Sequence, residues 1–259
     1  MKIACLTATY NRPTLLASCV AQFHRQTHVE KRLFIFDDFG GYYSGFHGDD
    51  VQVLSMASRS PTLPHKYALL AAIAEQWQPD AFALIDDDDL YTPDHLSRIA
   101  EGLETADWCK PSRIWTTYGG TLHQEPSTGR FWASIGFSAK LFRDVGGFAV
   151  TPRMDFDLQM LGRLQAAAGQ PYDTVGKSPS YVFRWQDTGM PHSQAMSTGP
   201  DDAGWYEKMR ATTPPPWIGT ITPQLDAAAI KTFAELETYN HSGLEGGTMG
   251  PPARSASAQ

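Results

Sequence analysis

Four consecutive carboxylates, Asp86-Asp87-Asp88-Asp89, follow the apolar run Ala81–Ile85. Adjacent carboxylates repel and raise one another's pKa, so a chain that holds four together is penalised until a cation joins them. In an extended segment side chains alternate, which predicts Asp86 and Asp88 on one side and Asp87 and Asp89 on the other. Such an Asp-x-Asp pair offers only hard oxygen, the donor that Mg²⁺ or Mn²⁺ shared with a diphosphate requires. The plainer alternative is a solvated acidic loop capping the helix that follows. Thr92 and Asp94 already supply that helix with a cap and a first-turn charge, which weakens the alternative. Two other aspartate motifs fail. A calcium EF-hand loop counted from Asp86 would need glycine at Tyr91 and glutamate at Ser97. An Asp-x-Asp-x-Thr/Val phosphatase motif would end on Leu90 or Tyr91.

The elements that must position these acids read as alternating strand and helix. Buried strands are expected at Ile3–Thr9, Leu33–Phe36, Val51–Leu54 and Ala81–Ile85. Leu16, Cys19, Val20 and Phe23 share one helical face behind Pro13, and Pro64 opens a second helix through Ala74. Short apolar strands separated by helices imply a parallel sheet covered on both faces. Ligands collect beyond the carboxyl ends of such strands. Three groups of polar residues fall there: Thr9-Tyr10-Asn11-Arg12, Asp37-Asp38, and the aspartate run. Further on, a helix from Thr92-Pro93 to about Leu103, with Thr92 as cap, is followed by β-rich runs over 113–135 that suggest a hairpin or meander. A turn is expected at Gly146-Gly147, a helix from Asp155 to about Ala168, and a late strand at Tyr181–Trp185. A last helix is expected near Asp226–Glu237, before a Gly/Pro/Ser/Ala-rich tail expected to be disordered. Trp108, Trp115, Trp132, Trp185 and Trp205 are expected mostly in the core, one or two of them as a stacking floor.

Composition excludes more than it assigns. No apolar run approaches the ~18 residues of a membrane span. The net charge is −7, and no Lys/Arg cluster offers a nucleic-acid-binding face. The three cysteines, Cys5, Cys19 and Cys109, have neither metal-site nor disulfide spacing, so a reducing, cytoplasmic setting is the default.

Taken in order, these motifs resemble family 2 glycosyltransferases of the GT-A fold, over about residues 2–195. The matching pieces are Ala8-Thr9-Tyr10-Asn11-Arg12, Phe36-Asp37-Asp38, Lys66, Ile85-Asp86-Asp87-Asp88-Asp89 and Pro93-Asp94-x-Leu96. Val145-Gly146-Gly147-Phe148 and Asp155-Phe156-Asp157-Leu158 complete the series. The resemblance implies an α/β fold with a Rossmann-like, mostly parallel central sheet, flanking helices and a smaller acceptor-side β/α region. One domain over 1–241 would divide into a nucleotide-binding half (about 1–105) and an acceptor half (about 106–241), with 242–259 as the tail. It further implies that Thr9, Tyr10, Arg12 and Asp38 hold the nucleotide base and that Asp86, with Asp87 beside it, lies by the ribose. Lys66 would reach the diphosphate, Asp88 bind Mn²⁺ or Mg²⁺, His192 complete the metal site, and Asp155 act as catalytic base. The family has a Glu-Asp pair at this last place, and here Met154 replaces the first acid.

Several of these residues have simpler readings. Tyr10 competes with a packing role, Asp38 with turn chemistry before Phe39-Gly40-Gly41, and Asp155 with a helix-terminal charge. Lys66 alone reads as a solvated helix residue, and His192 as a surface-loop histidine. The function implied is metal-dependent, inverting transfer of a sugar from a nucleotide-sugar, a UDP-sugar by resemblance, to an acceptor hydroxyl. The acceptor is left open among a glycan, a lipid-linked sugar, a protein and a modified nucleobase. The alternatives are a non-catalytic nucleotide-sugar or glycan-binding protein and a sugar-phosphate nucleotidyltransferase. The latter expects a Gly-rich loop after the first strand, and Thr7–Pro13 contains no glycine.

Overall fold

A computed structural model describes residues 1–40, 48–56, 58–118, 121–127, 129, 131–150 and 155–184. His192, the helix expected near 226–237 and the tail lie outside the described residues. Strands β1 (Ile3–Thr9), β2 (Lys31–Asp37), β3 (Val51–Ser55) and β4 (Ala81–Leu84) alternate with helices α1 (Pro13–Arg25) and α2 (Leu63–Ala74). β5 (Leu90–Tyr91) and α3 (His95–Leu103) lead into β6 (Trp108–Cys109), β7 (Arg113–Tyr118) and β8 (Thr121–Pro126). The described chain ends with β9 (Gly136–Ser138), α4 (Ala139–Asp144), α5 (Phe156–Ala168) and β10 (Tyr181–Arg184).

The first sheet has six strands in the order β3-β2-β1-β4-β9-β6. β1 to β4 are parallel, as their apolar runs predict, whereas β9 lies antiparallel to both β4 and β6. Alternation along β1 divides the core in two. Ala4, Leu6 and Ala8 face α2, α4 and α5, while Ile3 and Cys5 face α1 and α3. Leu16, Cys19, Val20 and Phe23 are all buried on that second side, so the spacing of α1 is confirmed.

A second sheet of four strands, β5-β10-β7-β8, carries the expected hairpin as β7 and β8. β5 begins one residue after Asp89, so the aspartate run is the passage from the last parallel strand of one sheet to an edge strand of the other. Two expectations fail here. Residues 87–89 form a turn, not an extended segment, so the predicted two-by-two alternation of the aspartates does not arise. The helix after them starts at His95, and Thr92 does not cap it. The Thr92 hydroxyl instead donates to Asp94 Oδ1 at 2.5 Å, and the Thr92 carbonyl accepts the His95 N–H within the preceding turn. No helix among the described residues is long and apolar enough to cross a membrane.

Candidate active site

The aspartate turn is held from every side by buried polar groups. Tyr67 on α2 donates its hydroxyl to Asp86 Oδ1 at 2.7 Å, and the Asp86 N–H donates to the Tyr91 hydroxyl at 2.8 Å. Tyr181 on β10 donates to Asp89 Oδ2 at 2.6 Å, and the Arg184 N–H to Asp89 Oδ1 at 3.0 Å. From α1, Gln22 accepts the Tyr91 N–H at 2.7 Å, while Gln26 donates to the Thr92 carbonyl at 2.8 Å. Burial first, then the neighbouring aspartates, raises all three tyrosine pKa values well above the ordinary range, so each hydroxyl keeps its proton to donate.

Beneath the turn lies Arg12, at the end of the β1–α1 loop. That loop reverses at Asn11, whose φ of 51° is a left-handed conformation that Asn tolerates better than most residues. Arg12 Nη1 donates to Asp88 Oδ2 at 2.7 Å. Its Nη2 lies 2.6 Å from Asp87 Oδ1 as an ion contact without hydrogen-bond alignment. Thr9 donates its hydroxyl to the other Asp87 oxygen at 2.6 Å. Burial pulls the Arg12 pKa down, but Asp87 and then Asp88 outweigh it and hold the guanidinium above its ordinary value. Burial pushes the Asp87 carboxyl up to about 7, against the pull of Arg12.

Carboxylate oxygens of Asp86, Asp88 and Asp89 lie within 4.8 Å of one another. Three hard oxygen donors from one tight turn fit a divalent cation of the Mg²⁺ or Mn²⁺ kind. Both Asp89 oxygens already accept hydrogen bonds, so Asp89 chiefly anchors the turn between the sheets. Asp87 belongs to the Arg12–Thr9 side, not with Asp89 as strand alternation had predicted.

A second group sits beyond the ends of β1 and β2. Lys66, which on its own read as a solvated helix residue, is only 7% exposed, and its Nζ lies 2.5 Å from Asp38 Oδ1. Asp38 also accepts the Ser60 N–H at 2.8 Å. The turn chemistry that competed for Asp38 is performed by Asp37, which accepts from the Phe39 N–H and the Ser55 hydroxyl, both at 3.0 Å. The Tyr10 ring is half-buried, with the Arg59 guanidinium 4.2 Å from its centroid and Phe39 against it edge-on at 5.5 Å. Lys66 Nζ lies 5.7 Å from the same centroid and 3.4 Å from the Thr9 carbonyl oxygen. An aromatic ring beside a carboxylate and two cations is suited to stacking and orienting a heterocyclic base.

Asp155 occupies the N-cap position of α5, yet its side chain makes no capping bond. Gln159 Nε2 donates to Asp155 Oδ1 at 3.0 Å. Phe156, the next residue, stacks on Tyr67 with centroids 6.2 Å apart, and Trp132 meets both Phe148 and Phe156 edge-on. Asp155 is thereby one aromatic layer from the tyrosine that holds Asp86. Sequence reading missed Tyr67, Tyr91, Gln22 and Arg59, and it placed Tyr181 and Arg184 on the late strand without joining them to the aspartate turn. Gln22 and Gln26 carried a usable signal, since two polar residues four apart adjoin the buried face of α1.

Residues 5–150 match the family described as glycosyl transferase family 2. The chain belongs to that family. It is 30% identical over 119 residues to the uncharacterized glycosyltransferase YwdF of Bacillus subtilis (strain 168), a match covering 42% of this chain and 40% of YwdF. Solved structures share the fold. TarS 1-349 of S. aureus in complex with UDP superposes with a TM-score of 0.59 at 14% identity, over 93% of this chain and 72% of that one. The mannosyltransferase PcManGT of Pyrobaculum calidifontis, in complex with GDP-Man and Mn²⁺, gives 0.53 at 14% identity, over 93% and 70%. Against the longer TarS chain, the present family 2 chain spans 44% of the length. The fold is the GT-A type, with its mostly parallel sheet and flanking helices.

Proposed function

We propose that this chain transfers a sugar from a nucleoside-diphosphate sugar, most simply a UDP-sugar, to an acceptor hydroxyl with inversion at the anomeric carbon. The observation that carries this reading is the convergence of Asp86, Asp88 and Asp89 at the carboxyl end of β4. Tyr10 and Asp38 stand at the adjacent strand ends, with Lys66 reaching Asp38 from α2, where a base and diphosphate would extend. Complexes of TarS with UDP and UDP-GlcNAc, and of PcManGT with GDP-Man and Mn²⁺, support it.

Asp88, with Asp86 beside it, would hold Mn²⁺ or Mg²⁺, and His192 is proposed as a further ligand. A divalent cation there supplies neutralisation of the charge that develops on the leaving nucleoside diphosphate. Thr9 and Arg12 orient Asp87 and Asp88 from below. Asp155 accepts the proton of the acceptor hydroxyl as its oxygen bonds to the anomeric carbon and the bond to the diphosphate breaks. Inversion needs no covalent intermediate, and the Asp155 carboxylate alone receives the proton. Cys5, Cys19 and Cys109 are free and buried, a state that a reducing cytoplasm preserves.

The test is release of nucleoside diphosphate from a panel of nucleotide-sugars, with Mn²⁺ or with EDTA, without acceptor. Slow Mn²⁺-dependent hydrolysis of one donor supports the transferase. Tight binding of every donor with no turnover, in the presence of varied acceptors as well, would instead mark a nucleotide-sugar-binding protein.

A further inference from the structure

The residues before β9 form one short helical turn, Trp132–Ser134, and strand register decides where it lies. Ala81 faces Ser138 and Ala83 faces Gly136 in antiparallel pairing, and the Leu84 N–H donates to the Ile135 carbonyl at 3.3 Å. Continued past the strand ends, that pairing sets Trp132–Ser134 beside Ile85–Asp87. One hydroxyl joins the two turns: Tyr91 donates to the Ala133 carbonyl at 3.4 Å and accepts the Asp86 N–H at 2.8 Å.

The backbone entering this turn is strained. Phe131 has a φ of 58°, a left-handed conformation that a bulky residue keeps only where its surroundings hold it there. Lys110 does so, its buried Nζ donating to the Phe131 carbonyl and the Ser134 hydroxyl, both at 3.1 Å. The side chain placed by this arrangement is Trp132, which is 8% exposed and meets Phe148 and Phe156 edge-on. Phe156 follows Asp155 directly and stacks on Tyr67, which donates to Asp86. The aromatic layer therefore runs from the proposed base to the aspartate turn, and a sugar passing between them would lie along it.

Among the described residues, the buried Nε1 of Trp132 has no hydrogen-bond partner. Trp108 and Trp115 differ, since their Nε1 groups donate to the Gly169 carbonyl at 3.0 Å and the Ser178 hydroxyl at 3.3 Å. A buried donor left unpaired carries its full desolvation penalty. An indole N–H only donates and bears no charge, so it suits a neutral hydroxyl or carbonyl oxygen better than a phosphate.

We propose that Trp132 recognises the transferred sugar, donating its indole N–H to one oxygen substituent of that sugar, and so contributes to the choice of donor. This rests on the reading of the aspartate turn as a nucleotide-sugar site. Three independent features meet at this residue: a strained entry to its turn, a buried lysine that holds the turn, and a donor without an acceptor.

The experiment is calorimetry on the full chain with Mn²⁺, titrating UDP-, GDP- and dTDP-sugars, each beside its own nucleoside diphosphate, into wild type and Trp132→Phe. Phenylalanine keeps an aromatic ring and removes the N–H. The variant is expected to bind the nucleotide-sugar preferred by the wild type about 3- to 10-fold more weakly, the range of one neutral hydrogen bond, with nucleoside-diphosphate affinity unchanged. Equal losses for both ligands, or none for either, would overturn the proposal and leave Trp132 a core aromatic. A second measurement needs no variant. In wild type labelled with ¹⁵N-tryptophan, the Trp132 indole signal, assigned through its own side chain, should move downfield with the nucleotide-sugar and stay in place with the nucleoside diphosphate. A signal that neither ligand moves overturns the proposal even if Trp132→Phe does not fold. A wild type that binds nucleoside diphosphates but no nucleotide-sugar overturns this proposal alone. One that binds neither, with or without Mn²⁺, overturns the reading of the site itself, and this proposal with it.

Discussion

A carboxylate at the head of a helix can cap it or serve a substrate, and the two roles leave different hydrogen bonds. Asp155 makes no cap bond and instead accepts from Gln159, so its removal should cost the helix little. Asp155→Asn is therefore expected to keep melting temperature and UDP affinity near wild type while kcat falls ~10²–10⁴-fold, the contribution of a positioned base. Near-normal turnover would move the base to Asp157, whose carboxyl burial raises above the ordinary range. Among single residues, the acids at strand ends were legible in the sequence because four adjacent carboxylates have few purely structural uses. The ion pair of Lys66 with Asp38 was not. Its partners lie 28 residues apart on different elements, and nothing local distinguishes a buried helix lysine from a solvated one. The same distance effect hid the exchange of roles between Asp37 and Asp38, since only the fold brings Ser55, Ser60 and Lys66 to them.

Elements with a strong period were legible, and short ones were not. Thirteen residues of α1 repeat the 3.6-residue pattern through three turns, and seven of β1 form an unbroken apolar run. β6 and β9 have two and three residues, too few to show any period. They are found only through register, β9 with β4 and β6 with β9. Lys110, immediately after β6, shows what such a short strand can bury. Its Nζ donates to the Phe131 carbonyl and the Ser134 hydroxyl, both at 3.1 Å, bracing the single helical turn Trp132–Ser134. Burial pushes its pKa down from 10.5 to about 7. Between those values the unfolded chain binds a proton that the folded chain does not. Stability contributed at this site therefore rises with pH from about 7 towards 10.5, and the full penalty applies below 7. Comparing melting temperatures of wild type and Lys110→Met from pH 6.5 to 9 checks this. The curves should differ most at low pH, with the methionine variant the more stable, and should converge as pH rises. Parallel curves would show that the lysine is already solvated or paired when folded.

The molecule as a whole places its chemistry where two sheets meet. The parallel strands deliver Tyr10, Asp38 and the aspartates to one edge, and β5 with β10 joins that edge from the second sheet. The parallel half was foreseeable from strand and helix alternation. The hairpin and the late strand of the second sheet were foreseeable too, but their union with the aspartate turn was not, because the strand that joins them, β5, has two residues and pairs with a distant part of the chain. This architecture makes the turn stiff before any ligand arrives, as three tyrosines, two glutamines and two arginines hold it. A stiff cluster of like charges should bind a divalent cation together with a diphosphate more strongly than either alone, and it should do so through Asp88. Calorimetry of UDP binding, with Mn²⁺ and with EDTA, on wild type and Asp88→Asn measures that coupling directly. Mn²⁺ is expected to tighten UDP at least about 10-fold in the wild type, the effect of one added charge-assisted contact, and to leave the variant unchanged. Equal UDP affinity in Mn²⁺ and EDTA for the wild type would contradict a metal–diphosphate role for the aspartate turn.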